Sequence, residues 1–362
     1  MKSLVGSAIS KKSTSSNVEH DTDDFEQLKI MVIGTGGGGC NTINRLAKKG
    51  IRGAQLFGVN TDKQHLAIID DSVSKILIGE TVTRGLGAGG YPEIGHKAAE
   101  VSKSKLEEAM RGVDMLFLAA GMGGGTGTGS APVIAEIAKE QGAIVISIVT
   151  YPFNLERARI VKAEEGIHQL SKVSDTVIVI DNNRLAQLVP NLPIQDAFKV
   201  ADEVIAAAVI GITETITQPS LINLDFADVR AIMSNKGLSL IAVGESKAND
   251  KVNAVVEDTL HNMLLDVDIS GAKGALIHIT GGPDLTLGEA NAIGEKLTDK
   301  IDSKATVIWG ARIDPTFENR VEVIAVFTGV YSPYITGVKK EEQFATSFAS
   351  RGQKSELDLG YA

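Results

Sequence analysis

Three glycine clusters and one acidic pair hold the residue types that could do chemistry. GTGGGG (Gly34–Gly39), RGLGAGG (Arg84–Gly90) and GMGGGTGTGSAP (Gly121–Pro132) leave backbone N–H groups uncovered, and Thr126 and Thr128 add hydroxyl donors beside the third. Such loops suit phosphate oxygens, and three of them suit several phosphates gripped from several sides. The first cluster fits G-x-G-x-x-G, the pattern that lets backbone approach a pyrophosphate in dinucleotide-dependent oxidoreductases. That use wants an acid closing the second strand, whereas GVNTD supplies Asp62 only after an Asn-Thr pair. It also has no need of a further cradle at Gly121. No G-x-x-x-x-G-K-[ST] occurs, so the chain has no P-loop. The acidic pair, Asp225 and Asp228 in LINLDFADVR, stands at i and i+3 with Asn223 just before it. On one helical turn the two carboxylates point the same way, where they could order an attacking water and accept its proton.

The elements that must position these residues are legible from periodicity. KIMVIG, AQLFGVN, KILIG, MLFLAA, AIVISIV and TVIVI are short apolar strands separated by loop or helix-length segments, the rhythm of a parallel sheet with helices on both faces. DMLFLAA is a strand, the third glycine loop follows it, and PVIAEIAKEQG has helical spacing, so a helix N-terminus adds its partial positive charge to that loop. Gln195–Thr217 places Phe198, Ala201, Ile205, Val209 and Ile212 on one stripe of a long buried helix. Four strands follow, LSLIAVGES, GALIHITGG, ATVIWGARI and VEVIAVFTGV, with helices near 250–264 and 286–300. The last two strands are joined by a non-helical stretch containing Pro315, which predicts a mixed sheet.

The predicted organisation is a flexible extension over 1–28, a nucleotide-binding domain over 29–194, a central helix over 195–217, a catalytic loop and second domain over 218–331, and a flexible tail over 332–362. The 362 residues carry a net charge of −9, which argues against a nucleic-acid surface or a polybasic membrane patch. Cys40 is the single cysteine, so there is no disulfide framework and a reducing cytoplasm fits. No apolar run approaches the roughly 20 residues that span a bilayer, and the N-terminal stretch does not read as a secretory signal. The six histidines show no paired metal-ligand spacing, and no metal-ligating set is expected.

GTGGGGCN, VNTD, GLGAGG, GGGTGTGSAP, PFNLE and LINLDFADV, in this order over about residues 29–331, resemble the FtsZ family, the prokaryotic cell-division GTPases of the tubulin superfamily. The resemblance implies an α/β, tubulin-like fold with a Rossmann-type parallel-sheet GTPase domain, a long central helix and a second α+β domain with a mixed sheet. It implies GTP and GDP as ligands, with Mg²⁺ carried mainly by phosphates and water. Carried over by position, Gly37, Gly38, Gly39 and Asn41 hold the α/β-phosphates. Cys40 counts in the same loop and reads as packing rather than redox control. Gly125, Thr126 and Gly127 hold the β/γ end, flanked by Gly124 and Thr128. Ala88, Gly89 and Gly90 line the γ-phosphate, Glu156 and Arg159 approach the ribose, and Asn182, Phe198 and Asp202 receive the base. Asp62 either lies near the metal and γ-phosphate or caps its own loop.

The base assignment has its own argument. Guanine presents N–H donors on its Watson–Crick edge, and Phe198 and Asp202, four apart on one helix, offer an aromatic face and an acceptor from one turn. Distance then gives the acidic pair its meaning. Asp225 lies 23 positions after Asp202, and a mostly helical path of that length spans roughly 30 to 35 Å. If catalytic, the acids must enter a neighbour's pocket, which makes the contact head-to-tail and lets it grow into a filament. Together with the resemblance, which implies GTPase activity and a place at the division site, this makes the expected protein a cytoplasmic GTPase that polymerises there and hydrolyses GTP in trans. The alternative is a GTP-binding filament scaffold with little turnover. ERARIVKAEEG, about one residue shorter than its bacterial counterpart, and a tail without the bacterial apolar terminal peptide point to the archaeal branch. Expected partners are further copies of the chain and membrane-tethering or division-regulating proteins reached through the tail. Neither nucleic acid nor direct membrane insertion is expected.

Overall fold

Residue alternation along each strand sends neighbouring side chains to opposite helix layers, and this builds the molecule. The computed structural model describes residues 28–217, 225–234, 238–248, 250–261, 263 and 269–330. Six strands come first: β1 (Ile30–Thr35), β2 (Ala54–Asn60), β3 (Ser74–Leu77), β4 (Met115–Gly121), β5 (Ile144–Tyr151) and β6 (Thr176–Asp181). They pair in parallel in the order β3-β2-β1-β4-β5-β6. This doubly wound order reverses between β1 and β4, which opens a crevice beyond the carboxyl ends of those two strands.

Helices α1 (Gly36–Lys49) and α2 (Lys63–Ala67) follow β1 and β2. Helices α3 (Glu80–Thr83), α4 (Pro92–Glu100) and α5 (Lys103–Ala109) lie between β3 and β4, while α6 (Thr126–Glu140), α7 (Arg157–Val173) and α8 (Asn182–Leu188) follow β4, β5 and β6. Met31, Ile33, Leu116 and Leu118 face one core with Ala98, Ile134 and Ile167 of α4, α6 and α7. Ile30, Val32, Met115 and Phe117 face the other, with Ile43 and Leu46 of α1 and the long helix α9 (Ile194–Thr217). Ala201, Ile205, Val209 and Ile212 form the buried stripe of α9. Phe198, expected on that stripe, is 40% exposed and faces the crevice instead.

The second half comprises α10 (Phe226–Met233), β7 (Leu238–Ser246), α11 (Lys251–His261), β8 (Gly274–Gly281), α12 (Leu287–Thr298), β9 (Thr306–Ile313) and β10 (Val321–Val330). Its sheet is mixed: β10 runs antiparallel to both β7 and β8, and β9 is parallel to β8. Two features escape sequence periodicity. The ten described strands form one sheet, because β7 pairs in parallel with β6 at Val177–Leu238 and Ile178–Ser239, beside a 2.8 Å hydroxyl contact between Thr176 and Ser239. And β9 and β10, adjacent in sequence, are not neighbours in space, since β8 lies between them.

Helix α9 fastens the halves together. Ile324 of β10 joins the α9 core, and Arg312 of β9 pairs with Glu214 near the end of α9. No described helix is long and apolar enough to cross a membrane. The expected terminal segments and Asn223 lie outside the described residues.

Candidate functional site

Helices α1 and α6 both begin at the crevice between β1 and β4, and both begin open. Their N-caps, Thr35 and Gly125, make no side-chain cap, and neither helix has an acidic residue in its first turn. By contrast, Asp62 caps α2 by accepting from Gln64 N and His65 N, and Asp181 caps α8 by accepting from Asn183 N. Two uncapped N-termini converging on one crevice create a strongly favourable position for anionic groups. Gly37, Gly38, Gly124, Gly125, Thr126 and Gly127 line this part of the cleft, about 440 Å³ in volume, with Ala88, Gly89 and Gly90 forming a further wall. A Cβ added at Gly37 or Gly124 would meet nothing within 4 Å, so these two glycines border open space a phosphate can fill. Thr126 is held from behind by a 2.6 Å hydroxyl contact with Thr61. Glu156 and Arg159 also line this part, joined by a 2.6 Å ion pair.

The cleft continues into a second cavity of about 570 Å³ between α1 and the first turns of α9, lined by Asn41, Asn182, Phe198 and Asp202. Asn182 and Phe198 border both cavities, so they mark the junction. Phe153 meets Phe198 edge-on with ring centroids 5.8 Å apart. The Asn182 side-chain oxygen is buried without a hydrogen-bond partner, which is costly unless a ligand donates to it. Asp202 is braced from α1: its Oδ1 accepts from Thr42 Oγ1 at 2.9 Å, and its Oδ2 accepts from Arg45 Nε at 3.0 Å. Burial pushes the Asp202 carboxyl above its ordinary range, and Thr42 and Arg45 pull it part of the way back. The residues thus fit a nucleoside polyphosphate: open helix ends and glycine walls for phosphates, then an aromatic edge and amide and carboxylate acceptors for a base carrying N–H donors.

Three expected binding residues are not in the cleft. Gly39 lines neither cavity; its lack of a side chain lets α1 approach β4, since a Cβ there would stand 2.2 Å from Ala119 O. Cys40 is fully buried, with Sγ 3.5 Å from Gly34 O and 3.6 Å from Val59 O. Burial pushes its thiol up to about 12, so it packs rather than reacts. Thr128 is turned away from the cleft and accepts from Gly123 N at 2.9 Å, bracing the loop from inside α6. Asp62 caps α2, one of its two expected roles, and also lines the part of the cleft bordered by the open helix ends.

Asp225 and Asp228 line neither cavity. Asp225 caps α10 by accepting from Asp228 N at 2.7 Å, and Asp225 N donates to Asp228 Oδ2 at 3.4 Å, a reciprocal capping box. Helix α9 itself runs from the cleft to the opposite edge of the sheet. Ile216 and Thr217 border a separate cavity with Leu28–Ile30 and Gly53–Gln55, at the amino ends of β1 and β2, whereas the cleft lies at the carboxyl ends. Sequence reasoning missed Thr42, Asn44, Arg45 and Lys48 as cleft residues. Their signal was present, since Gly38, Asn41, Arg45 and Lys48 recur at helical spacing along one face of α1.

Two family models match the chain: "Tubulin/FtsZ family, GTPase domain" over residues 29–190 and "FtsZ family, C-terminal domain" over residues 237–331. Cell division protein FtsZ 2 of Methanocaldococcus jannaschii is 62% identical over 362 residues, covering 99% of this chain and 94% of that protein. Cell division protein FtsZ 2 of Halobacterium salinarum is 52% identical over 321 residues, covering 89% and 81%. Among solved structures, an empty FtsZ dimer from M. jannaschii superposes with a TM-score of 0.79 at 47% identity, covering 91% of each chain.

Proposed function

This chain belongs to the tubulin/FtsZ family, and from that premise we propose that it is a cell-division GTPase that assembles head-to-tail, each active site being completed by the next subunit. The family's domain is a guanine-nucleotide-binding GTPase domain. In the proposed arrangement, Gly37, Gly38 and Asn41 at the start of α1 hold the α/β-phosphates. Gly124 to Gly127 at the start of α6 hold the β/γ end, and Ala88 to Gly90 close over the γ-phosphate. Glu156 and Arg159 meet the ribose. Phe198 packs on guanine, and Asp202 and Asn182 accept from its N–H groups. An Mg²⁺ ion arriving with the phosphates would neutralise charge there, with Asp62 the carboxylate on that side of the cleft.

The observation that carries the trans reading is the separation of the two functional ends: the cleft holds every candidate phosphate donor, while Asp225 and Asp228 stand outside it. Among the described residues, the cleft of one subunit holds no carboxylate pair at i and i+3. A neighbour stacked on the cleft would bring its own Asp225 and Asp228 to order water and take its proton. The cleft's surroundings support such a cover, since Leu86 and Leu155 are 79% and 89% exposed beside the cleft-lining Gly87 and Glu156. The M. jannaschii FtsZ structure that superposes on this chain is a dimer, which supports self-association.

A second reading, a GTP-binding filament scaffold with little turnover, draws on the capping box, which gives both acids a local structural task. GTP turnover per subunit against protein concentration decides. A trans-completed site gives almost no turnover when dilute and a steep rise beyond an assembly threshold. Flat specific activity down to the lowest concentration overturns the trans reading, and filaments without turnover favour the scaffold.

A further inference from the structure

The wall formed by Ala88, Gly89 and Gly90 is a tight turn whose sequence leaves it soft. Tyr91 N donates to Ala88 O at 3.0 Å, and both central residues have positive φ, +60° at Gly89 and +80° at Gly90. Only glycine takes both positions without strain, and a Gly-Gly turn has much conformational freedom to lose on ordering. Two contacts from outside hold it. On one side it rests on the residue before α6, where a Cβ on Gly125 would stand 2.8 Å from Tyr91 N and 2.9 Å from the Ala88 Cβ. On the other, Lys162 of α7 reaches over it: its ammonium donates to Gly90 O at 2.7 Å and lies 5.5 Å from the centroid of the Tyr91 ring. The same helix carries Arg159 one turn earlier, at the ribose end of the cleft.

We infer that Lys162 is a positioning residue that presets the γ-phosphate wall and so makes the cleft prefer a nucleoside triphosphate over a diphosphate. This rests on the proposed reading of the cleft as a GTP site. With Lys162 in place, the turn is already ordered against the α6 N-terminus when the ligand arrives. Without it, the cost of ordering the Gly-Gly turn falls on whichever ligand reaches the turn. A triphosphate reaches it and a diphosphate does not, so the penalty is selective. A charge-assisted bond from a half-buried ammonium, discounted for solvent screening, sets the scale at about three- to ten-fold in affinity.

The test is equilibrium binding, below the assembly threshold, of a slowly hydrolysed GTP analogue and of GDP to the full chain and to Lys162→Met, Lys162→Gln and Lys162→Arg. The expected result is a three- to ten-fold weaker triphosphate analogue for Met and Gln, with GDP moved less than two-fold, and most of the loss restored by Arg, which keeps the donor and the contact with Tyr91. Far-ultraviolet circular dichroism checks that each variant is folded. A parallel loss for both nucleotides, or no loss for either, overturns the inference while leaving the GTP site intact. Failure of the unaltered chain to bind either nucleotide removes both the functional reading and this one.

Discussion

The ionisation of Asp202, the proposed base acceptor, is set by its burial and by two side chains on another helix. Burial favours its neutral form, and Thr42 and Arg45 counter that. Removing Arg45 therefore raises the pH at which the carboxyl takes up a proton. Since a neutral carboxyl is a poor partner for guanine N–H groups, Arg45→Ala should lose GTP affinity as pH falls, starting at higher pH than the unaltered chain. Dissociation constants between about pH 5 and pH 8 would read this, and identical profiles would refute it. His278, on β8 beneath α9, predicts the stability of the fold itself. Burial first, then Arg312, brings its imidazole down from 6.5 to about 4. The unfolded chain binds a proton across that window and the folded chain does not, so stability falls as pH drops from about 6.5 towards 4, by roughly 3 kcal/mol in all. Urea midpoints measured from neutral to acid pH should show this slope, and His278→Gln should flatten it. Neither effect can be read from the sequence, because Arg45 meets Asp202 across 157 positions and the burial of His278 is decided by the helix that covers it.

At the scale of elements, strand periodicity located the central segments well because strands such as β1 and β4 are buried on both faces, as Ile30 to Ile33 are. It could not give the join of β6 to β7, nor the insertion of β10 between β7 and β8, since both depend on pairings between distant segments whose side chains are equally apolar. The glycine clusters were legible as loops, but their members divide by task. Gly37 and Gly124 face open space, and Gly39 faces the backbone of β4. That division makes an element-scale prediction. Gly39→Ala forces a methyl to within 2.2 Å of Ala119 O, and a backbone atom in a strand between two others cannot move aside cheaply. Helix α1 must lift from β4, costing about 3 kcal/mol, at the upper end for overpacking. Thermal or urea unfolding with no nucleotide present should show the loss; unchanged stability would mean that α1 shifts freely on the sheet.

Across the whole molecule, helix α9 separates what it connects: Phe198 and Asp202 sit at the cleft near its start, and Glu214, paired with Arg312, sits near its end. With the acids outside the cleft, trans completion makes a prediction that no site contained within one subunit shares, because two defective subunits should repair each other. The first variant is Asp225→Asn, chosen over alanine because asparagine keeps the α10 N-cap while removing the charge. The second is Gly124→Val, whose Cβ meets nothing within 4 Å and whose methyls add bulk to the proposed phosphate wall and block GTP. Alone, the first binds GTP without hydrolysing it and the second cannot bind it. Mixed in equal amounts, a joint is productive when the cleft comes from the first and the acids from the second, so random head-to-tail assembly should restore at most about a quarter of the normal turnover. If each subunit worked with its own acids, no pairing of these variants could hydrolyse GTP, and the mixture would stay at the level of its parts.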